Sequence, residues 1–209
     1  MNQDKTIEDI ANWIFPGLGI YYRDTPLTEE QICKYSIGSY LRNNFFIDTS
    51  SFSEGVDGKT RYIIVSSKVA PMYKFEGNSN TVRWKLSVVN ANSYFKILDV
   101  YAKNGKTQIL LLHVPKKLVE IVSGGKNIDF DLEKTVIDTA RQRFDEMLDK
   151  KPAAEFSEVA WRDRIKYPIG LDPSDNLCDI NKPVSISGPA LSVYGAIEKI
   201  VGDQTGLNT

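Results

Sequence analysis

Histidine is nearly absent from this chain: one residue in 209, His113. Cysteine is almost as scarce, with Cys33 and Cys178 far apart. One histidine and two distant cysteines cannot make a zinc site of the usual composition, and no Cys-His or Ser-His-Asp signature is present. The same scarcity argues against a disulfide scaffold and fits a reducing cytosol, with both thiols expected to be buried. An excess of one charge is also missing. With 26 basic against 27 acidic side chains and a pI near 5.9, there is no overall positive field to gather a nucleic-acid backbone, so DNA is not an expected partner. An anionic ligand would have to be met by a local basic cluster. No Gly-rich phosphate loop of either common spacing occurs; "SGGKN" has the letters but follows a helical stretch instead of a strand. Asp172, Asp175 and Asp179 crowd into "DPSDNLCD" without the alternation and glycine of a calcium loop, so no metal is expected. No apolar run approaches the roughly 18 to 20 residues needed to span a bilayer, and the polar start "MNQDKTIEDIANW" is unlike a signal peptide. The expectation is a cytoplasmic protein with no membrane segment in this chain.

What the chain does have is enough apolar surface, 42% of residues, for one good core. "TIEDIANWIF" has the spacing of a short helix, interrupted by "PGLG" and "DTP" on either side of "IYY". A long helix is expected next, opened by Pro26 or Thr28, with Ile32, Tyr35, Ile37, Tyr40, Leu41 and Phe45 on one stripe. "DTSSFSEGVDGKT" reads as a polar loop. "RYIIVSSKVA", "TVRWKLSVVN" and "YFKILDVYAK" read as strands. Asn104-Gly105 predicts a tight hairpin between strands 94–103 and 107–114, because a type I′ turn needs positive φ at both central positions. "PKKLVEIVS" begins a helix with proline in its first turn, and Leu132, Val136, Ala140, Phe144, Met147 and Leu148 recur at helical spacing. "SEVAWRD" is read as a last strand, 167–183 as loop and 190–201 as a closing helix. The sum is an α+β fold: a twisted, mostly antiparallel central sheet of about five strands, a long N-terminal dimerisation helix, and helices packed on the sheet.

Two places could carry chemistry. In "LLLHVPKKLVEI" the only histidine stands where an apolar run meets a proline and two lysines. It is either a strand end or a ligand-facing junction. Asp99 and Lys103 share a strand with a spacing reminiscent of metal-dependent nucleases, although one acid and one base on a strand more often make a solvated face.

The order of elements, with "NGKTQILLLHVPKKLVEI", "DLEKTVIDTARQRFDEMLDK" and "KYSIGSYLR", resembles the cyclic-dinucleotide-binding domain of the STING family, most closely over residues 94–150. The resemblance implies residues 1–25 as a helical extension, 26–201 as the ligand-binding domain and 202–209 as a tail. It implies a non-enzymatic homodimer that binds a cyclic dinucleotide, or a related cyclic oligonucleotide, between protomers and needs no other cofactor. Ligand can drive such a dimer into a higher oligomer, signalling to an effector domain or protein in antiphage defence. Tyr40 or Tyr35 would stack on a base, with Tyr22 in reserve, and Arg83 would close over the phosphates. His113 would stand where the family has a base-reading acid, with Lys116 and Lys117 in place of its threonines. In that setting His113 would titrate near 6.5 and bind phosphate better when protonated. The alternatives are a metal-dependent nuclease-like enzyme using Asp99 and Lys103, or a protein-interaction domain with no small ligand.

Overall fold

The structure, a computed structural model, describes residues 3–75, 77–125 and 132–204. Among these residues the helices are α1 (Gln3–Ile14), α2 (Glu29–Ile32), α3 (Ser79–Arg83), α4 (Lys116–Ser123), α5 (Leu132–Leu148), α6 (Val159–Ile165) and α7 (Pro189–Gln204). The strands are β1 (Gly19–Asp24), β2 (Tyr40–Arg42), β3 (Ile47–Ser50), β4 (Thr60–Ser66), β5 (Val69–Ala70), β6 (Leu86–Val89), β7 (Tyr94–Lys103) and β8 (Lys106–Val114). They form one eight-stranded sheet in the order β2-β7-β8-β4-β1-β3-β6-β5. The α+β class stands, with three strands more than the five expected.

The centre of the sheet is the parallel pair β4 and β8, with Tyr62 opposite Ile109 and Val65 opposite Leu112. Every other strand pairing is antiparallel. Central strands covered on both faces have no use for alternating polar letters, which is why "YIIV" and "ILLL" are continuous apolar runs. Ile63, Val65, Leu110 and Leu112 pack with Ile10, Ile14, Leu118 and Ala140 of α1, α4 and α5. On the opposite face Tyr62, Ile64, Ile109 and Leu111 pack with Leu27, Tyr35, Leu41 and Ile169. The hairpin between β7 and β8 turns at Asn104 (φ 51°) and Gly105 (φ 72°), both left-handed as a two-residue type I′ turn requires.

The expected long helix over 26–45 is not formed. Thr28 and Gln31 make a reciprocal capping box, but the helix they open lasts one turn. Gly38 at φ +82° then takes the chain out of helical space, and Tyr40–Arg42 pair with β7 as an edge strand. The supposed dimer stripe is scattered: Tyr35 and Leu41 are in the core, while Ile37 and Phe45 are exposed. No dimerisation helix is left for the proposed homodimer. Three shorter readings also change. "GIYYRD" is strand β1, the polar loop over 48–60 begins as β3, and "TVRWKLSVVN" divides into helix α3 and strand β6. "SEVAWRD" is helical because Trp161 and Ile165, four apart, bury together. Cys33 is exposed; only Cys178 is buried.

The 167–183 segment is loop, as read, but it is strapped down by side chains from the sheet. Buried Arg23 donates to the Tyr167 carbonyl at 2.6 Å, and buried Arg42 donates to the carbonyls of Asp179 at 2.8 Å and Lys182 at 2.6 Å. The Tyr35 hydroxyl donates to the Ile169 carbonyl at 2.7 Å, and the Tyr62 hydroxyl accepts from the Ile169 N–H at 3.2 Å. Burial pushes the Tyr62 phenol up to about 12 and raises that of Tyr35 as well, so both stay protonated.

Gly55 marks a second tight approach: a Cβ there would overlap the backbone carbonyl oxygen of Lys150. Replacing Gly55 with alanine is expected to lower stability by about 1–3 kcal/mol, the usual cost of overpacking. Urea unfolding of the two proteins checks this, and an unchanged midpoint would show that the two loops separate freely.

Candidate ligand-binding cleft

A cavity of about 540 Å³ opens beside the junction of β8 and α4. Five stretches distant in sequence supply most of its wall. Trp13 comes from the end of α1, Lys68 from the link between β4 and β5, and Asn90 to Tyr94 from the turn between β6 and β7. His113 to Lys116 lead into α4, and Tyr194, Ile197 and Glu198 come from α7. The volume lies in the range of small-molecule sites, and the lining joins aromatic walls to a few polar groups.

His113 is the best-defined of these groups. It is buried, its Nδ1 lies 2.8 Å from the Ser66 hydroxyl, its ring stacks on Phe95, and the edge of Trp13 meets it at 5.0 Å between centroids. The parallel pairing of β4 with β8 ends at Val65 and Leu112, which puts Ser66 beside His113 one step further on. Burial first, and then the nearby Lys68 charge, push the imidazole down to about 3. It is therefore neutral at physiological pH. The expected titration near 6.5, with tighter phosphate binding by a protonated ring, does not apply to this site.

Lys68 supplies the cation instead. It is half-buried, with its ammonium 5.5 Å from the centre of the Trp13 ring; desolvation lowers its pKa and Glu198 opposes that. Asn90 donates to a Glu198 carboxylate oxygen at 2.8 Å and so ties the β6–β7 turn to α7. Lys116 stands at the rim, exposed and paired with Glu120 one helical turn on.

The sequence-derived site residues are thus divided by the fold. His113 and Lys116 line this cleft, whereas Lys117 points away toward Asp9. Tyr35 and Tyr62 share a hydroxyl contact of 2.5 Å in the core of the opposite face. Tyr40 is half-buried on the edge strand β2, and Tyr22 is buried beneath the Arg61 guanidinium. Arg83 is exposed on α3 and bound to Glu158, on a helix instead of a strand and away from this cleft. The nuclease pairing also dissolves. Asp99 is buried and held by Arg141 at 2.7 and 2.8 Å, Lys103 pairs with Asp145, and no group of three metal-ligating side chains occurs among the described residues. Trp13, Lys68, Asn90, Tyr194 and Glu198 were not picked out from sequence. Only Lys68 leaves a trace there, as a single cation inside a β-branched run.

No helix among the described residues is long and apolar enough to cross a membrane. No family model matches the chain, and no curated protein matches it. Solved structures do match in part. The type III effector XopAI of Xanthomonas axonopodis pv. citri is 8% identical, with 49% of this chain and 46% of that one covered at a TM-score of 0.41. The ADP-ribosyltransferase HopU1 of Pseudomonas syringae pv. tomato is 16% identical over 46% of each chain at 0.40. The C3 exoenzyme of Clostridium limosum is 15% identical over 54% of this chain and 66% of that one at 0.38. The chain spans about half the length of the first two. Likeness at that level assigns this chain neither an activity nor a ligand. The STING resemblance is nevertheless corrected: the solved structures that match are bacterial effectors and ADP-ribosyltransferases, and in the fold itself the long first helix the resemblance requires is absent and Arg83 lies on a helix instead of a lid strand. The non-enzymatic sensor, its cyclic dinucleotide and its signalling in antiphage defence fall with it.

Proposed function

We propose that the cleft binds a nucleotide-class ligand, a planar ring bearing phosphate. The observation that carries this reading is the joining of aromatic walls and cations in one cavity. Trp13 and Tyr194 offer faces for a ring, and Lys68 and Lys116 offer ammonium groups for phosphate. The remaining groups suit a nucleotide better than a bare anion. The Asn90 amide holds Glu198, and Glu198 can accept from sugar hydroxyls as well as from Asn90. A site for inorganic phosphate alone would have no use for the aromatic surface.

The test is a thermal-shift and calorimetric panel of AMP, ATP, ADP-ribose, NAD⁺ and inorganic phosphate, with release of nicotinamide followed in the NAD⁺ samples. NAD⁺ is included because Exoenzyme S of Pseudomonas aeruginosa was solved with carba-NAD. A bound nucleotide at 100 times its Kd is expected to stabilise the protein by about 2.7 kcal/mol. Lys68→Ala and Lys116→Ala should each weaken binding about tenfold or more, the worth of a charge-assisted contact. Lys117→Ala should leave affinity unchanged. Affinity for nucleotides no better than for phosphate, or insensitive to Lys68 and Trp13, would refute the reading.

A further inference from the structure

The hydrogen bonds of Ser66 bear on the tautomer of His113 and on what the ring offers the cleft. The Ser66 hydroxyl accepts from the Lys68 backbone N–H at 2.9 Å and lies 2.8 Å from His113 Nδ1. Ser66 is fully buried, so its own proton needs an acceptor, and Nδ1 is the acceptor beside it. A neutral imidazole that accepts at Nδ1 carries its proton on Nε2. Phe95 stacks on the ring and Trp13 meets it at right angles, so the ring is held by packing as well as by the hydroxyl.

We infer that Ser66 is a positioning residue that locks His113 as the Nε2–H tautomer, making it an uncharged hydrogen-bond donor that reads a neutral acceptor, a carbonyl or ring nitrogen, on the ligand's planar ring. This rests on the nucleotide reading of the cleft and adds a division of labour to it. Lys68 and Lys116 meet the phosphate, while His113 selects among rings by their acceptors. A protonated histidine would attract any anion. A locked neutral one rewards only an acceptor in the right place.

Because His113 is the chain's one histidine, its ring nitrogens can be followed without ambiguity in protein made with ¹⁵N-histidine. The expected spectrum shows a protonated Nε2 and a bare Nδ1, unchanged between about pH 5.5 and 8. A proton on Nδ1, rapid exchange between tautomers, or titration in that range would overturn the proposal. AMP and NAD⁺, once shown to bind, should move the Nε2 resonance; binding that leaves it still also overturns the proposal. If neither binds and the Nε2–H form is observed, the lock by Ser66 stands, while the nucleotide reading and the ligand contact fall. Ser66→Ala should release the lock, mix the tautomers and weaken binding about five- to tenfold. Ser66→Thr, which keeps the hydroxyl, should restore the spectrum. The other titratable groups around the cleft are Lys68 before β5, Tyr94 on β7, Lys116 on α4, and Tyr194 and Glu198 on α7. Glu198→Gln therefore serves as the control for any pH dependence of affinity that His113 does not cause.

Discussion

Asp24→Ala is expected to lower the free energy of unfolding by about 3–5 kcal/mol, enough to unfold much of a marginal domain. Asp24 and Arg61 face each other across β1 and β4, and both are buried. The carboxylate takes the guanidinium at both oxygens, 2.5 and 2.7 Å, and accepts the Asp57 backbone N–H at 2.7 Å. Arg61 also donates to the Gly55 carbonyl at 2.8 Å and lies over the Tyr22 ring. Removing Asp24 leaves a guanidinium in the core with no opposite charge, and the backbone amide of Asp57 loses its acceptor. The cost arises from the stranded partners more than from the ion pair itself. Asp24→Leu combined with Arg61→Met, which removes both charges, should therefore recover most of the loss. Urea unfolding of wild type, single and double variants measures this. A single variant within about 1 kcal/mol of wild type would show that water reaches the pair.

The second large effect is on acid stability. His113 sits at about 3 in the folded protein against about 6.5 when unfolded, so between those values the unfolded chain binds the extra proton. Stability from this group is complete above about pH 6.5 and is lost progressively as pH falls toward 3. The slope is about 1.4 kcal/mol per pH unit, or about 2.7 kcal/mol between pH 6.5 and 4.5. His113→Gln removes the titration and should flatten this part of the curve, although the variant starts lower because the ring's packing is lost. Thermal or urea unfolding at half-unit pH steps isolates the difference in slope. Parallel slopes for the two proteins would mean that the imidazole protonates in place without unfolding anything.

Local sequence sufficed where the requirement was itself local. The hairpin at Asn104-Gly105 is settled by two adjacent residues, since their positive φ is a local requirement and the flanking runs are long. Helices α1, α4, α5 and α7 were legible for a similar reason: each carries an apolar stripe over two turns or more. The failures cluster where tertiary contacts overrule the period. The stripe over 26–45 has helical spacing, yet Tyr35 is drawn to the core by Tyr62 and the Ile169 carbonyl, and Leu41 by its pairing with Phe95. "SEVAWRD" reads as a strand until Trp161 and Ile165 must share one buried face.

By itself the sequence determined that this protein is α+β and places its single histidine at a strand-to-helix junction. These follow from composition and from interactions within a few residues. Which groups meet His113 was decided only by the tertiary structure. Ser66 reaches it because β4 and β8 run parallel, and Trp13, Lys68, Asn90 and Glu198 because α1, two turns and α7 converge there. A cleft whose walls lie up to 189 residues apart, from Trp13 to Gly202, leaves no periodic mark in the sequence. The pKa of His113 is of the same kind, since burial and a neighbouring ammonium lower it and neither is a property of the letters around it.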